Sequence, residues 1–113
     1  MQLDVIIESR TYPVNVPEAV LAEGQAFFEK MDRDMDAGWQ IGAEFVERPD
    51  RLLRAQVAAE RLMLALERGN EPMTQGMAGY ILTRLPGARS VRVNTDGEPQ
   101  LTEFLDGAGN PLS

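Results

Sequence analysis

The sequence contains no cysteine and no histidine. The first absence removes disulfides, thiolate metal sites and thiol catalysis, and leaves the redox compartment unreadable from cysteine usage. The second removes the commonest general base and metal ligand, and with them every Ser-His-Asp, Cys-His and His-metal arrangement. Lysine is nearly missing too: of the 11 basic residues only Lys30 is a lysine. Arginine suits fixed, forked pairing with carboxylates better than loose solvation. No apolar run approaches the roughly 20 residues of a membrane span. A basic surplus is also lacking. The formal charge of −7 argues against nucleic acid and anionic membrane surfaces as partners, since both require a basic patch. Met1 to Arg10 has neither the basic start nor the apolar core of a secretion signal, so a cytoplasmic location is expected.

With 113 residues the chain is long enough for one core that removes roughly two-thirds of its unfolded surface from water. Its most conspicuous segment is an amphipathic stretch from Pro17 to Glu47. At about 100° per residue, Val20, Gly24, Phe27, Phe28, Met31, Met35, Gly38, Trp39, Gly42, Phe45 and Val46 fall in one stripe. The expectation is one long helix of about 45 Å, at roughly 1.5 Å per residue, with a kink near Gly38 as the competing possibility. Asp50 to Arg68 reads as a second helix ending at Gly69-Asn70. Residues 17–47 carry eight acids against two bases, and residues 48–68 five arginines against three acids. The two are therefore expected to pair as an antiparallel hairpin, with burial dominating over charge.

Shorter elements flank them. Leu3–Glu8 and Thr11–Val16 read as strands, with Pro13 placing the second at a sheet edge. Glu71–Leu85 reads as a third helix, and Ser90–Asn94 and Leu101–Leu105 as strands around Asp96-Gly97. The resulting order is ββαααββ. The fold class is α+β: a long antiparallel helix hairpin and a third short helix, packed on a small antiparallel sheet made from the N- and C-terminal hairpins. Residues 1–105 form the domain, and 106–113 are expected to be a disordered tail.

Candidate chemistry concentrates at Glu29, Asp32 and Asp36, whose i, i+3, i+7 spacing lines up three carboxylates for a hard divalent cation, the only cofactor type suggested. The simpler reading of the same acids is a solvated flank paired with the arginines of the second helix. Met31, Met35, Met73 and Met77 are soft ligands on paper and adaptable core filler in practice. Asp34 beside Trp39, with Tyr80 from the third helix, is the place for a pocket with a desolvated carboxylate. Gly76 and Gly79 lie within a helical pattern and suggest close packing rather than a phosphate loop. On the second helix Leu53, Val57 and Leu64 form a second apolar line beside Arg54, Arg61 and Arg68. A helix apolar on two sides is sandwiched in the domain or shared with a partner. These features favour a non-enzymatic interaction module that assembles with itself, and with another protein as a further partner. The alternative is a metal-binding module or small metal-dependent enzyme.

Overall fold

In the computed structural model, which describes residues 1–112, strands at both ends of the chain enclose the helices between them. β1 (Gln2–Ile7) turns through Glu8-Ser9 into β2 (Arg10–Asn15). Then come α1 (Glu18–Glu23), α2 (Gln25–Asp36), β3 (Trp39–Ile41), β4 (Glu44–Val46), α3 (Arg51–Arg68), α4 (Glu71–Arg84), β5 (Ser90–Val93) and β6 (Glu103–Leu105). A single 3₁₀ turn, Pro99–Leu101, precedes β6. This is the expected α+β class, with the N- and C-terminal strand pairs joined in one sheet of order β2-β1-β5-β6. The sheet is mixed rather than antiparallel. β1 pairs with β5 in parallel, matching Val5 with Val91 and Ile7 with Val93, because the helices carry the chain back before β5 begins.

The expected 17–47 helix does not form as one rod. The molecule measures 32 × 31 × 28 Å, and a straight helix of that length would project from it. Gly24 separates α1 from α2: a Cβ there would lie 2.6 Å from the Val20 carbonyl and 2.8 Å from Phe28 Cζ, so only glycine lets Phe28 tuck under the junction. After Asp36 the chain leaves helical geometry altogether. Gly38 (φ 100°) and Gly42 (φ 62°) take left-handed conformations that a side chain resists, and Gly42-Ala43 is the two-residue turn of the β3–β4 hairpin. The principal helix pair is accordingly α3 with α4, not α3 with the 17–47 segment.

The later boundaries follow local chemistry. Asp50 caps α3 by accepting from the Leu53 amide at 2.8 Å, Gly69 closes it in left-handed geometry, and Asn70 caps α4 through the Met73 amide at 3.2 Å. Leu3, Val5, Val91, Val93 and Phe104 from the sheet meet Ala55, Ala58, Ala59 and Leu62 of α3 and Met77, Ala78, Ile81 and Leu82 of α4 in a continuous core. The alanines and Gly79 let α3 and α4 lie close to their neighbours.

Both edges of the main sheet are protected. Met1 and Val16 exchange two hydrogen bonds, of 2.8 and 2.7 Å. Alternation in an antiparallel ladder then turns the backbone groups of Thr11, Pro13 and Asn15 outward. Pro13 therefore presents no N–H in the middle of that edge. At the opposite edge, residues 106–112 do not trail away as expected. Asp106 Oδ1 accepts from the amides of Ala108 and Asn110, and the chain folds back so that Leu112 N–H bonds the Phe104 carbonyl at 2.8 Å.

Candidate functional site

The densest polar cluster gathers on Asp32, in the third turn of α2. Asp32 projects toward α4 because Phe28, one turn earlier on the same helix, is fully buried against it. A Cβ on Gly79 would come within 3.0 Å of Phe28 Cζ, and the Phe28 ring meets Tyr80 edge-on, centroids 6.2 Å apart. With α2 seated in this way, Asp32 Oδ1 accepts from the Tyr80 hydroxyl at 2.5 Å, and Oδ2 accepts from Arg84 Nε at 3.0 Å, with Arg84 Nη2 in ion-pair contact at 2.9 Å. Arg84 lies over the Tyr80 ring, 5.2 Å from its centroid, and against Phe28 at 5.9 Å. Its cation thus rests on two π faces while its edge holds the carboxylate.

Arg54 of α3 completes the arrangement and spends its whole donor fork on α2 and on the entry to its own helix. Its Nη1 donates to the Asp32 carbonyl at 3.1 Å, Nη2 to Asp36 Oδ1 at 2.7 Å, and Nε to the Pro49 carbonyl at 2.7 Å. Burial by itself would lower the Arg54 pKa, but the Asp36 hydrogen bond and the charges of Asp36 and Asp32 outweigh it, and the value rises. Burial also acts on Tyr80: together with the hydrogen bond to Asp32 and that carboxylate's charge, it pushes the phenol well above the usual tyrosine range, against the pull of Arg84 and Arg54. An open depression of about 340 Å³ lies here, lined by Asp32, Pro49, Arg51, Arg54, Tyr80 and Arg84. Among the described residues, no buried side-chain nitrogen or oxygen is left without a partner. The cluster is a three-helix clamp whose groups already satisfy one another.

The candidates read from sequence fall into place around it. Glu29 is exposed, Asp32 is held by Arg84 and Tyr80, and Asp36 by Arg54. No group of three acids converges as a cation site among the described residues. The three pocket residues are apart. Asp34 pairs at the surface with Lys30, 2.9 Å away; Trp39 sits in β3 beneath Arg61, 5.8 Å from its ring centroid; Tyr80 alone reaches the clamp. The methionines Met31, Met35 and Met77 are core, as their positions on apolar stripes suggest.

Nor do the six residues assigned to an interaction face share one surface. Val57 is buried, Leu53 is half-buried against the core, and Arg54 belongs to the clamp. Arg61, Leu64 and Arg68 remain outward. With Ala65, Asn70 and Met73 they line a depression of about 170 Å³ between α3 and α4. An adjoining groove of about 460 Å³ shares Asn70 and Met73 with it and continues over Pro72 and Gly76 to Val20, Gly24 and Phe27. Phe27 lies on this groove and is 40% exposed; Leu64 on the other depression is 38% exposed.

Two residues of these sites carry no signal of their own in the sequence reading. Arg84 sits one turn after Tyr80 on α4, a spacing that puts both side chains on one face. Phe27 reads as core on the 17–47 wheel, and its exposure follows from the break at Gly24. Comparison with known protein families, curated proteins and solved structures finds no match for this chain. Among the described residues no helix is long and apolar enough to cross a membrane.

Proposed function

We propose that the chain is a non-enzymatic protein–protein interaction module that acts as a homo-oligomer. The observation that carries this reading is the paired depression on the α1/α2–α4–α3 face, with Phe27 and Leu64 exposed along it and Met73 between. Exposed aromatic and aliphatic groups beside arginines are the composition of interface anchors. The clamp adds support by a different route. Its carboxylate, phenol and guanidinium groups are committed to holding helices together, so the strongest concentration of polar chemistry is accounted for by structure. The cytoplasm is the proposed location, on the sequence grounds given above.

Sedimentation equilibrium across the micromolar range tests the reading. The expected result is a species of at least twice 12.5 kDa, reduced to the single-chain mass by Phe27→Glu with the far-UV circular dichroism unchanged. A wild-type chain that stays at 12.5 kDa throughout that range would refute it.

A further inference from the structure

We propose that Asp96-Gly97, in the loop between β5 and the 3₁₀ turn, is a site of spontaneous backbone isomerisation at which Asp96 converts to isoaspartate, and that the fold shields Asp106-Gly107 from the same reaction. The chain holds these two Asp-Gly pairs. Both bring the same reactants together: a side-chain carboxyl and, one residue on, an amide nitrogen with no side chain crowding it. The reaction begins when the glycine nitrogen attacks the carboxyl carbon. A new N–C bond closes a five-membered succinimide, and the carboxyl oxygen leaves as water, taking the amide proton with it. Water then adds to one of the two imide carbonyls. Addition at the side-chain carbonyl restores aspartate. Addition at the main-chain carbonyl breaks its bond to the glycine nitrogen, so that the chain runs through Cβ and Cγ and the α-carboxylate is free. One water leaves and one enters, so mass and oxidation state are unchanged and no other reactant is required.

Identical in sequence, the two pairs differ in how they are held. Thr95, Asp96, Gly97 and Glu98 are all exposed. Asn94 Oδ1 accepts from the Asp96 amide at 2.9 Å and the Glu98 amide at 3.1 Å, which fixes the loop on either side of the reacting atoms. Between them, neither the Asp96 carboxylate nor the Gly97 amide has a hydrogen-bond partner among the described residues. A Cβ on Gly97 would meet nothing within 4 Å, so the space around the attacking nitrogen is open. The Asp96 carboxyl can therefore turn onto that nitrogen with no bond lost. Asp106 is locked. Its Oδ1 accepts from the amides of Ala108 and Asn110, both at 2.9 Å, its own amide donates to the Asn110 carbonyl at 2.9 Å, and its carbonyl accepts from Gly109 at 3.0 Å. Bringing its carboxyl carbon onto the Gly107 nitrogen breaks both side-chain bonds. Two ordinary hydrogen bonds slow ring closure on the order of thirtyfold. At Asp96 the product has a consequence for the fold. Its extra backbone carbon falls inside the bridge that Asn94 makes, and the Gly97 carbonyl abuts the β3–β4 turn, 3.2 Å from where a Cβ on Gly42 would lie. Isomerisation thus loosens the seat of that hairpin.

The second pair serves as an internal control. No lysine or arginine follows Arg92, so trypsin leaves both pairs in one peptide, and electron-transfer fragmentation distinguishes isoaspartate from aspartate at each position. The full chain is incubated at mildly acidic pH, folded in one arm and unfolded in guanidinium chloride in the other. In the folded arm isoaspartate is expected to accumulate at residue 96 and, on the order of thirtyfold more slowly, at residue 106. In the unfolded arm the two rates should converge, because nothing then holds either carboxyl. Asp96→Glu, at an exposed position, requires a six-membered ring in place of the five-membered one; it should remove the signal at 96 and leave that at 106 unchanged. A folded chain free of isoaspartate at 96, over a time in which the unfolded chain forms it, would overturn the proposal. Equal rates at 96 and 106 in the folded chain, or a difference that persists after unfolding, would overturn it as well.

Discussion

Asp32 shows how one carboxylate can decide the placement of a helix. It accepts from Tyr80 and Arg84 on α4 and lies 3.6 Å from Arg54 Nη1 on α3, while 29% of its side chain stays exposed. Asp36 has one arginine partner and is 50% exposed. Exposed pairs contribute about 1 kcal/mol or less, and hydrogen bonds to charged groups about 1.5–3 kcal/mol. Asp32→Asn is therefore expected to destabilise the fold by about 2–3 kcal/mol and Asp36→Asn by less than about 1 kcal/mol, read from chemical denaturation midpoints. Equal effects would contradict the central position of Asp32. Tyr80 adds a pH signature. Its folded-state pKa is raised from the ordinary 10.0, so the unfolded chain releases this proton first. The contribution is then complete below about pH 10 and falls as pH rises beyond it. Tyr80→Phe should cost about 1–2 kcal/mol at neutral pH and flatten the alkaline fall in stability. An unchanged alkaline limb would show that the fall arises elsewhere.

At the scale of elements, what was readable in the sequence depended on whether local chemistry and tertiary geometry agreed. α3 and α4 have caps, stops and apolar faces within their own residues, so their boundaries at Asp50, Gly69 and Asn70 were legible. Pro13 likewise marked β2 as an edge strand. The 37–47 segment was misread because an apolar stripe at helical spacing also fits Trp-Gln-Ile-Gly-Ala-Glu-Phe-Val, where Gly-Ala between β-favouring residues is a hairpin signal. The parallel β1–β5 pairing has no local signature at all, since it depends on how the helices return the chain. Arg54 and Arg61 were visible as arginines on one helix, but their separation into a clamp member and a surface residue depends on where α2 comes to rest. That depends in turn on the break at Gly24. Gly24→Ala would force its Cβ against the Val20 carbonyl and the Phe28 ring. The expected cost is about 1–3 kcal/mol, measured by thermal or denaturant unfolding, with weaker amide protection in α1. A neutral Gly24→Ala would mean that Phe28 has room the geometry denies it.

Taken whole, the molecule divides its polar and apolar groups by purpose. Arginines 54 and 84 and Asp32 are turned inward as fasteners between helices, and the edges of the main sheet are blunted by Pro13 and by the returning C-terminal segment. On the α1–α4–α3 face Phe27 and Leu64 stay exposed along the two depressions, beside Arg61 and Arg68. Net charge and composition alone pointed toward protein partners without locating this face, because it is assembled from three helices far apart in sequence. Amide hydrogen exchange of the wild-type chain, compared between dilute and concentrated solution, measures directly which face is covered. Protection should rise with concentration in α1, around Phe27 and at Met73, and stay constant in β2 and the β3–β4 hairpin. Protection that is independent of concentration at Phe27 and Met73, or that rises at β2 or the β3–β4 hairpin instead, would contradict self-association through this surface.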